Sequence, residues 1–133
     1  MNDFEKGWLV GIIDGEGSIS MDRKGHWRQP RIKVASTDME ILDECIRITG
    51  SGACVMKKPR KSNHSISWCW SLSSTNKVID VLNEIHLYLK CPKKKRRAKF
   101  ILDNYKLYSR RNGYYTEEEK VLKRQFEEDF YKL

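Results

Sequence analysis

No stretch of this 133-residue chain is apolar for long enough to cross a membrane, since a spanning helix needs about 20 consecutive apolar residues. The first residues, MNDFEKGW, hold no basic segment leading into an apolar one. A secretory signal is therefore not expected. The expected location is intracellular, either an organelle matrix or the cytoplasm of a bacterium or phage-infected cell. Only four cysteines occur, Cys45, Cys54, Cys69 and Cys91, and none forms a CxxC pair. This argues against a zinc cluster and for buried free thiols in a reducing compartment. The three histidines, His26, His64 and His86, are scattered, so no histidine-based site is expected. There is no low-complexity segment and no sequence repeat.

What the chain has in excess is positive charge. Twenty-six Lys and Arg against eighteen Asp and Glu give +8. The excess is uneven. Residues 90–99, KCPKKKRRAK, hold seven bases and no acid, and KKPRK at 57–61 holds four more. Residues 117–132 hold six acids against four bases. A basic middle with an acidic end points to a polyanionic partner. Hydrophobic residues at 39% and aromatics at 11% suffice for one globular domain over residues 1–133.

Periodicity predicts the elements. A first helix over about 4–15 starts with Asp3 as cap and stops at Gly15-Glu-Gly17. SISMDRK alternates, with Ile19 and Met21 opposite Ser18, Ser20, Asp22 and Lys24, which reads as a half-buried strand. KGHWRQP reads as a loop, and RIKVA as a second strand. Thr37-Asp-Met-Glu40 has the form of a capping box opening a helix over about 38–48. GSG at 50–52 is a turn, ACVMKK a third strand and PRKSNH a loop. In ISWCWSL, Ile66, Trp68, Trp70 and Leu72 oppose Ser67, Cys69 and Ser71. That parity puts both tryptophans in the core. Ser74 or Thr75 caps a third helix carrying Val78, Ile79, Leu82 and Ile85. Pro92 opens a fourth through about Tyr108, and Thr116-Glu-Glu-Glu119 a last one to about residue 131. The predicted class is α+β: an αββαββα core with a four-stranded antiparallel sheet, helices on one face, and additional C-terminal helices.

One segment breaks the ordinary rules. In GWLVGIIDGEGSI, residues 7–19, Gly7, Gly11 and Gly15 recur every four residues inside a helix. Each costs roughly 1 kcal/mol against alanine. A helix C-cap explains Gly15 or Gly17 but not the other two. Small residues on one face let two helix backbones approach closely. The stripe ends on two acids, Asp14 and Glu16.

Leu9-Val10-Gly11-Ile12-Ile13-Asp14-Gly15-Glu16-Gly17, followed by Ser18-Ile19, resembles the nine-residue signature of the LAGLIDADG homing endonucleases. Val10 stands where alanine is usual, and Gly15 is a common small substitute at its place. The resemblance implies site-specific double-strand DNA cleavage on a long, near-palindromic target, with short 3′ overhangs. A single motif implies a homodimer with Gly7, Val10, Gly11, Asp14 and Gly15 at the interface. Glu16 matches the family's metal-binding catalytic acid, with the Gly15 carbonyl as a further ligand. The implied metal is Mg²⁺, with Mn²⁺ substituting and Ca²⁺ supporting binding without cleavage. Asp14 is implied to be structural. Ser36 takes the place of a polar residue, often glutamine, that orders water around the metals. A catalytic lysine precedes the fourth helix. The candidates are Lys93, Lys94 and Lys95, with Lys94 preferred and the others taken as phosphate contacts.

Strand parity assigns a DNA-facing set. It comprises Ser20, Asp22 and Lys24, then Gln29, Arg31 and Lys33, then Lys57 or Lys58, and finally Ser67 and Ser71 with Cys69. The alternative on the same fold is a non-cleaving nucleic-acid-binding protein, such as an intron maturase or a transcription regulator.

Overall fold

A computed structural model describes residues 1–58, 65–110 and 113–133. The elements run α1 (Asp3–Glu16), β1 (Gly17–Lys24), β2 (Trp27–Ser36), α2 (Met39–Thr49), β3 (Ala53–Lys57), β4 (Ser67–Leu72), α3 (Thr75–Ile85), a 3₁₀ turn at His86–Tyr88, α4 (Pro92–Tyr108) and α5 (Glu117–Tyr131). The sheet is antiparallel throughout, in the order β1-β2-β4-β3. This is the predicted α+β arrangement. The predicted loop at 59–64, with His64, lies outside the described residues.

Alternation builds the layers. Ile19 and Met21 on β1, Ile32 and Val34 on β2, and Trp70 and Leu72 on β4 are buried. They pack against Leu9 and Ile13 of α1, Leu42 and Cys45 of α2, Val78, Leu82 and Ile85 of α3, and Ala98 and Ile101 of α4. Each Val, Leu, Ile or Met among them contributes about 1.5–3 kcal/mol by leaving water. The opposite sheet face stays polar. Of the two tryptophans, Trp70 is fully buried, with its indole N–H donating to the Ser51 carbonyl at 3.1 Å. Trp68 is half-buried against the core. Ile66 falls outside β4 and is exposed.

Four expectations need correction. The cap of α1 is Asn2, not Asp3. Its side chain accepts from Glu5 N–H at 2.8 Å, and Glu5 returns a bond to Asn2 N–H at 3.0 Å. The supposed loop 24–30 is instead a tight hairpin: Lys24 pairs with Trp27 around Gly25 and His26, and only Gly25 takes positive φ, at 68°, as a short hairpin turn requires. Pro30 is tolerated in β2 because β4 covers only Ile32–Ser36, leaving the outer half of β2 free of a ladder that needs its N–H. The cap of α2 is Asp38 rather than Thr37, and no side-chain cap bond forms. Lys58 lies beyond the end of β3. By contrast, α3 with cap Ser74, α4 from Pro92 to Tyr108, and the Thr116–Glu119 capping box fall as predicted.

The last helix, α5, clamps the β1–β2 hairpin from the helix side. The Tyr131 hydroxyl donates to the Met21 carbonyl at 2.5 Å and accepts from Met21 N–H at 3.1 Å. Glu127 accepts from Arg28 N–H at 3.0 Å. Lys123 is 1% exposed. It donates to Ser109 Oγ at 2.6 Å and lies 5.3–5.6 Å from the Trp27, Tyr105 and Tyr115 rings. Burial pushes its pKa down, against the pull of Glu127.

Candidate active site and nucleic-acid interface

The site forms where α1 ends and the sheet begins. Gly17 caps α1 in extended backbone, φ −93° and ψ 173°. A Cβ there would lie 2.8 Å from Ile13 Cα and 3.2 Å from the Lys33 carbonyl. No side chain fits, so the chain passes from helix to strand in direct backbone contact. This delivers Glu16, exposed, at the last position of α1. Glu16 and Ser36 line one cavity of about 340 Å³ with Thr37, Asp38 and Ser67. Ser36 Oγ accepts from Asp38 N–H at 3.0 Å. The fold thus brings together the predicted acid and the predicted polar residue from opposite ends of the β1–β2 hairpin. Asp38 was not foreseen. It lines the cavity from the N-cap position of α2, where its side chain makes no cap bond.

Asp14 is structural, and its bonds cross to another helix. Its carboxylate accepts from Lys90 N–H at 2.9 Å and Cys91 N–H at 3.0 Å, just before α4. This offsets a conflict in the sequence, because the first turn of α4 carries Lys93, Lys94 and Lys95 and no acid. Cations there oppose the helix dipole. Lys94 resolves its part of the conflict by reaching back. Its ammonium donates to the Ile13 and Asp14 carbonyls, both at 2.8 Å. The Asp14 carbonyl is an orphan acceptor at the end of α1, the Ile13 carbonyl also accepts from Gly17 N–H, and positive charge is favoured at both. Of the three lysines, Lys94 is the one beside the turn that carries Glu16. Lys95 points to the Leu87 carbonyl at 3.4 Å, and Lys93 is exposed. The basic run is thus partly consumed internally. Arg97 donates to the Ile19 carbonyl and stacks over Phe130, and Lys99 pairs with Asp103.

The donors around Glu16 are hard oxygens, the kind that suits Mg²⁺. The Gly15 carbonyl adds to them, since the last four carbonyls of a helix lack an intrahelical partner. Among the described residues no three His, Cys, Asp or Glu side chains converge. The set fits Mg²⁺ in kind but is incomplete in one chain.

The glycine stripe is open. A Cβ at Gly7, Gly11 or Gly15 would meet nothing within 4 Å. Phe4, one turn before Gly7, is 79% exposed, and Trp8 and Ile12 are half-buried alongside. Val10 departs from the predicted interface set: it is 8% exposed and belongs to this chain's own core. Its bulk therefore does not obstruct the glycine face.

The polar sheet face holds the predicted set in register. Ser20 pairs with Arg31, Asp22 with Gln29, Lys33 with Ser71, and Lys57 with Ser67. Lys24 is exposed at the hairpin end. Cys69, also on this face, is 9% exposed. Asp22 is saturated: it accepts from Ser20 Oγ at 2.9 Å and ion-pairs with Arg31 at 3.3 Å and with Lys33. Burial pushes its carboxyl pKa up, but the hydrogen bonds from Lys33 and Ser20 and the charges of Lys33 and Arg31 outweigh that and hold it below the usual range. Asp22 therefore orders its two cations rather than standing free on the face. The Cys45 thiol, by contrast, is pushed up to about 12 by burial.

By sequence, no family model and no curated protein matches the chain. Solved structures do. The chain superposes on the archaeal intron-encoded homing endonuclease I-Vdi141I, complexed with DNA, with a TM-score of 0.65 and 17% identity over 98% of this chain and 84% of that one. It superposes on the homing endonuclease I-CvuI, bound to DNA in 2 mM Mg with the DNA not cleaved, with a TM-score of 0.58 and 20% identity over 75% of this chain and 64% of that one. A further I-CvuI complex contains Ca. The LAGLIDADG homing endonuclease I-GzeII, in complex with its DNA target, matches with a TM-score of 0.57 and 17% identity over 96% of this chain but 44% of its own. The chain is built on the fold of the LAGLIDADG homing endonucleases.

Proposed function

We propose that this chain is a site-specific DNA endonuclease that works as a homodimer. The observation that carries the proposal is the end of α1. There an exposed glutamate borders a cavity that Ser36, Thr37, Asp38 and Ser67 also line, on a helix whose glycine face is open and flanked by an exposed phenylalanine. Two copies packed along that face bring two Glu16 side chains together near the twofold axis. Each copy adds one polar sheet face, and the two faces follow a long, near-palindromic duplex. Arg31 and Lys33, held by Asp22, face base edges and phosphates, with Gln29, Ser20, Ser71, Ser67, Lys24 and Lys57 around them. Lys93, Lys95 and Lys58 contact backbone phosphate.

Glu16 and the Gly15 carbonyl would hold Mg²⁺, which would supply Lewis acidity to a phosphate oxygen and a nearby water. Ser36 holds water at the cavity edge. Lys94 anchors the end of α1 and sets a positive charge beside the scissile phosphate. Cleavage across the minor groove leaves short 3′ overhangs. Mn²⁺ substitutes for Mg²⁺, and Ca²⁺ supports binding without cleavage.

The test is a plasmid library of candidate sites, including DNA flanking the protein's own gene, incubated with purified protein and Mg²⁺. Specific double-strand cleavage that is lost in Glu16→Gln while binding survives is expected. Tight binding without cleavage in Mg²⁺ or Mn²⁺ overturns the nuclease assignment.

A further inference from the structure

The sheet face does not account for all the cavities among the described residues. Two, of about 580 and 550 Å³, run along one face of α5 at the tip of the β1–β2 hairpin, and Arg23, His26 and Arg124 border both. The α5 residues lining them are Lys120, Arg124, Glu127, Glu128 and Tyr131, whose spacing is one helical stripe. The two cavities form a single cleft. Its arginines lie opposite the duplex-facing set, because Arg23 and Arg28 pair with each other in register with Met21 and Pro30, on the helix side of the hairpin, while at the hairpin tip Trp27 pairs with Lys24 of that set.

Its chemistry is cationic and aromatic. Arg23, Arg28, Lys120, Arg124 and Lys132 line it against two carboxylates. One of those, Glu127, is 6% exposed and held by Arg28 N–H. Arg23 spends one bond on the His26 carbonyl, at 3.2 Å, and the Arg124 guanidinium lies over Trp27 at 5.8 Å. Neither has a carboxylate partner among the described residues. Trp27 and Tyr115, with ring centroids 5.4 Å apart, wall one half, and Tyr131 walls the other.

We infer that this cleft is a second nucleic-acid site, which takes a single-stranded phosphodiester chain. Cations spaced along a groove bind successive phosphates, and aromatic faces beside them take unpaired bases. Each cavity has the volume of a small-ligand pocket, about 300–1,000 Å³, which admits nucleotides of an open strand. The site does not depend on the endonuclease assignment, since duplex cleavage and single-strand binding are read separately.

The experiment uses the full chain and fluorescence anisotropy with a labelled oligouridylate and the matching oligothymidylate of about 12 nucleotides. At least one strand binds at near-physiological salt, and the RNA-to-DNA affinity ratio tells which sugar the cleft prefers. The Arg23→Glu/Arg124→Glu double variant weakens that binding at least tenfold and flattens its log–log salt dependence by about 1.4. A duplex of the same length does not displace the strand. Arg124→Gln, which adds no acid, gives a smaller loss in the same direction and guards against a fold defect, as does an unchanged circular-dichroism melt. Failure of both strands to bind, displacement by duplex, an unchanged salt slope in the double variant, or equal loss of duplex and single-strand binding overturns the inference.

Discussion

Replacing Asp14 with alanine tests how α1 and α4 are joined. The Asp14 carboxylate accepts two backbone N–H groups, from Lys90 and Cys91, at 2.9 and 3.0 Å. Hydrogen bonds to a charged group contribute about 1.5–3 kcal/mol where water cannot replace them. Here one donor is exposed and the other only part-buried, so water recovers much of that. Loss of a cap costs about 0.5–2 kcal/mol. Asp14 is also the carboxylate bound at the start of a helix whose first turn is basic, which adds a few tenths to 1 kcal/mol. The sum is about 2 kcal/mol. For a domain of this length that is roughly 8 °C in Tm. Asp14→Asn keeps an acceptor oxygen and loses about half as much. The assay is thermal unfolding by circular dichroism at one fixed protein concentration, because the proposed dimerisation would move Tm by mass action. An Asp14→Ala Tm within about 2 °C of the parent refutes the reasoning.

Lys94→Met removes the cation from the Ile13 and Asp14 carbonyls and costs about 1–2 kcal/mol in urea unfolding. Lys95→Met, whose ammonium makes only a 3.4 Å contact, changes stability by less than about 0.5 kcal/mol, and equal losses in the two contradict the assignment. Gly11→Leu adds atoms to open space. It leaves the circular-dichroism spectrum intact and shifts sedimentation to the monomer; a persisting dimer removes α1 from the interface. Gly17→Ala, where the added carbon would lie 2.8 Å from Ile13 Cα, costs about 1–3 kcal/mol, and an unchanged melt contradicts the close approach. The Asp22 pKa is lowered on folding, so between its folded value and the unfolded value near 3.9 the unfolded chain binds more protons. Its stabilisation is complete above about pH 4 and is lost as pH falls through the folded value. Asp22→Asn flattens that acid limb, and an identical limb in the variant refutes the ion-pair account.

The sequence reading succeeded where the signal was local. Strand parity placed Ile19, Met21, Ile32 and Val34 inside, and the boxes at Thr116 and Pro92 fixed two helix starts. It failed where another element decided the outcome. KGHWRQP looks like a loop because Gly25 and Pro30 sit in it, yet the shortness of β4 makes that half of β2 an edge where proline is harmless. Val10 follows the motif into the supposed interface, but its helical angle turns it into the core. Lys94 is indistinguishable from Lys93 and Lys95 in sequence, and only the packing of α1 on α4, some 80 residues apart, selects it. Asp38 hides behind Thr37, which has the better capping-box spelling. Lys123 shares the helical face of Phe126 and Phe130, a spacing that signals burial even for a lysine.

The central claim is that two copies of α1 build one cleavage centre. Mixing wild-type and Glu16→Gln subunits, allowing exchange, and measuring total strand scission, nicks included, against the wild-type fraction tests it most directly. If each dimer needs both glutamates, activity follows the square of the wild-type fraction. A linear dependence means that each chain cleaves with its own Glu16 and contradicts the account.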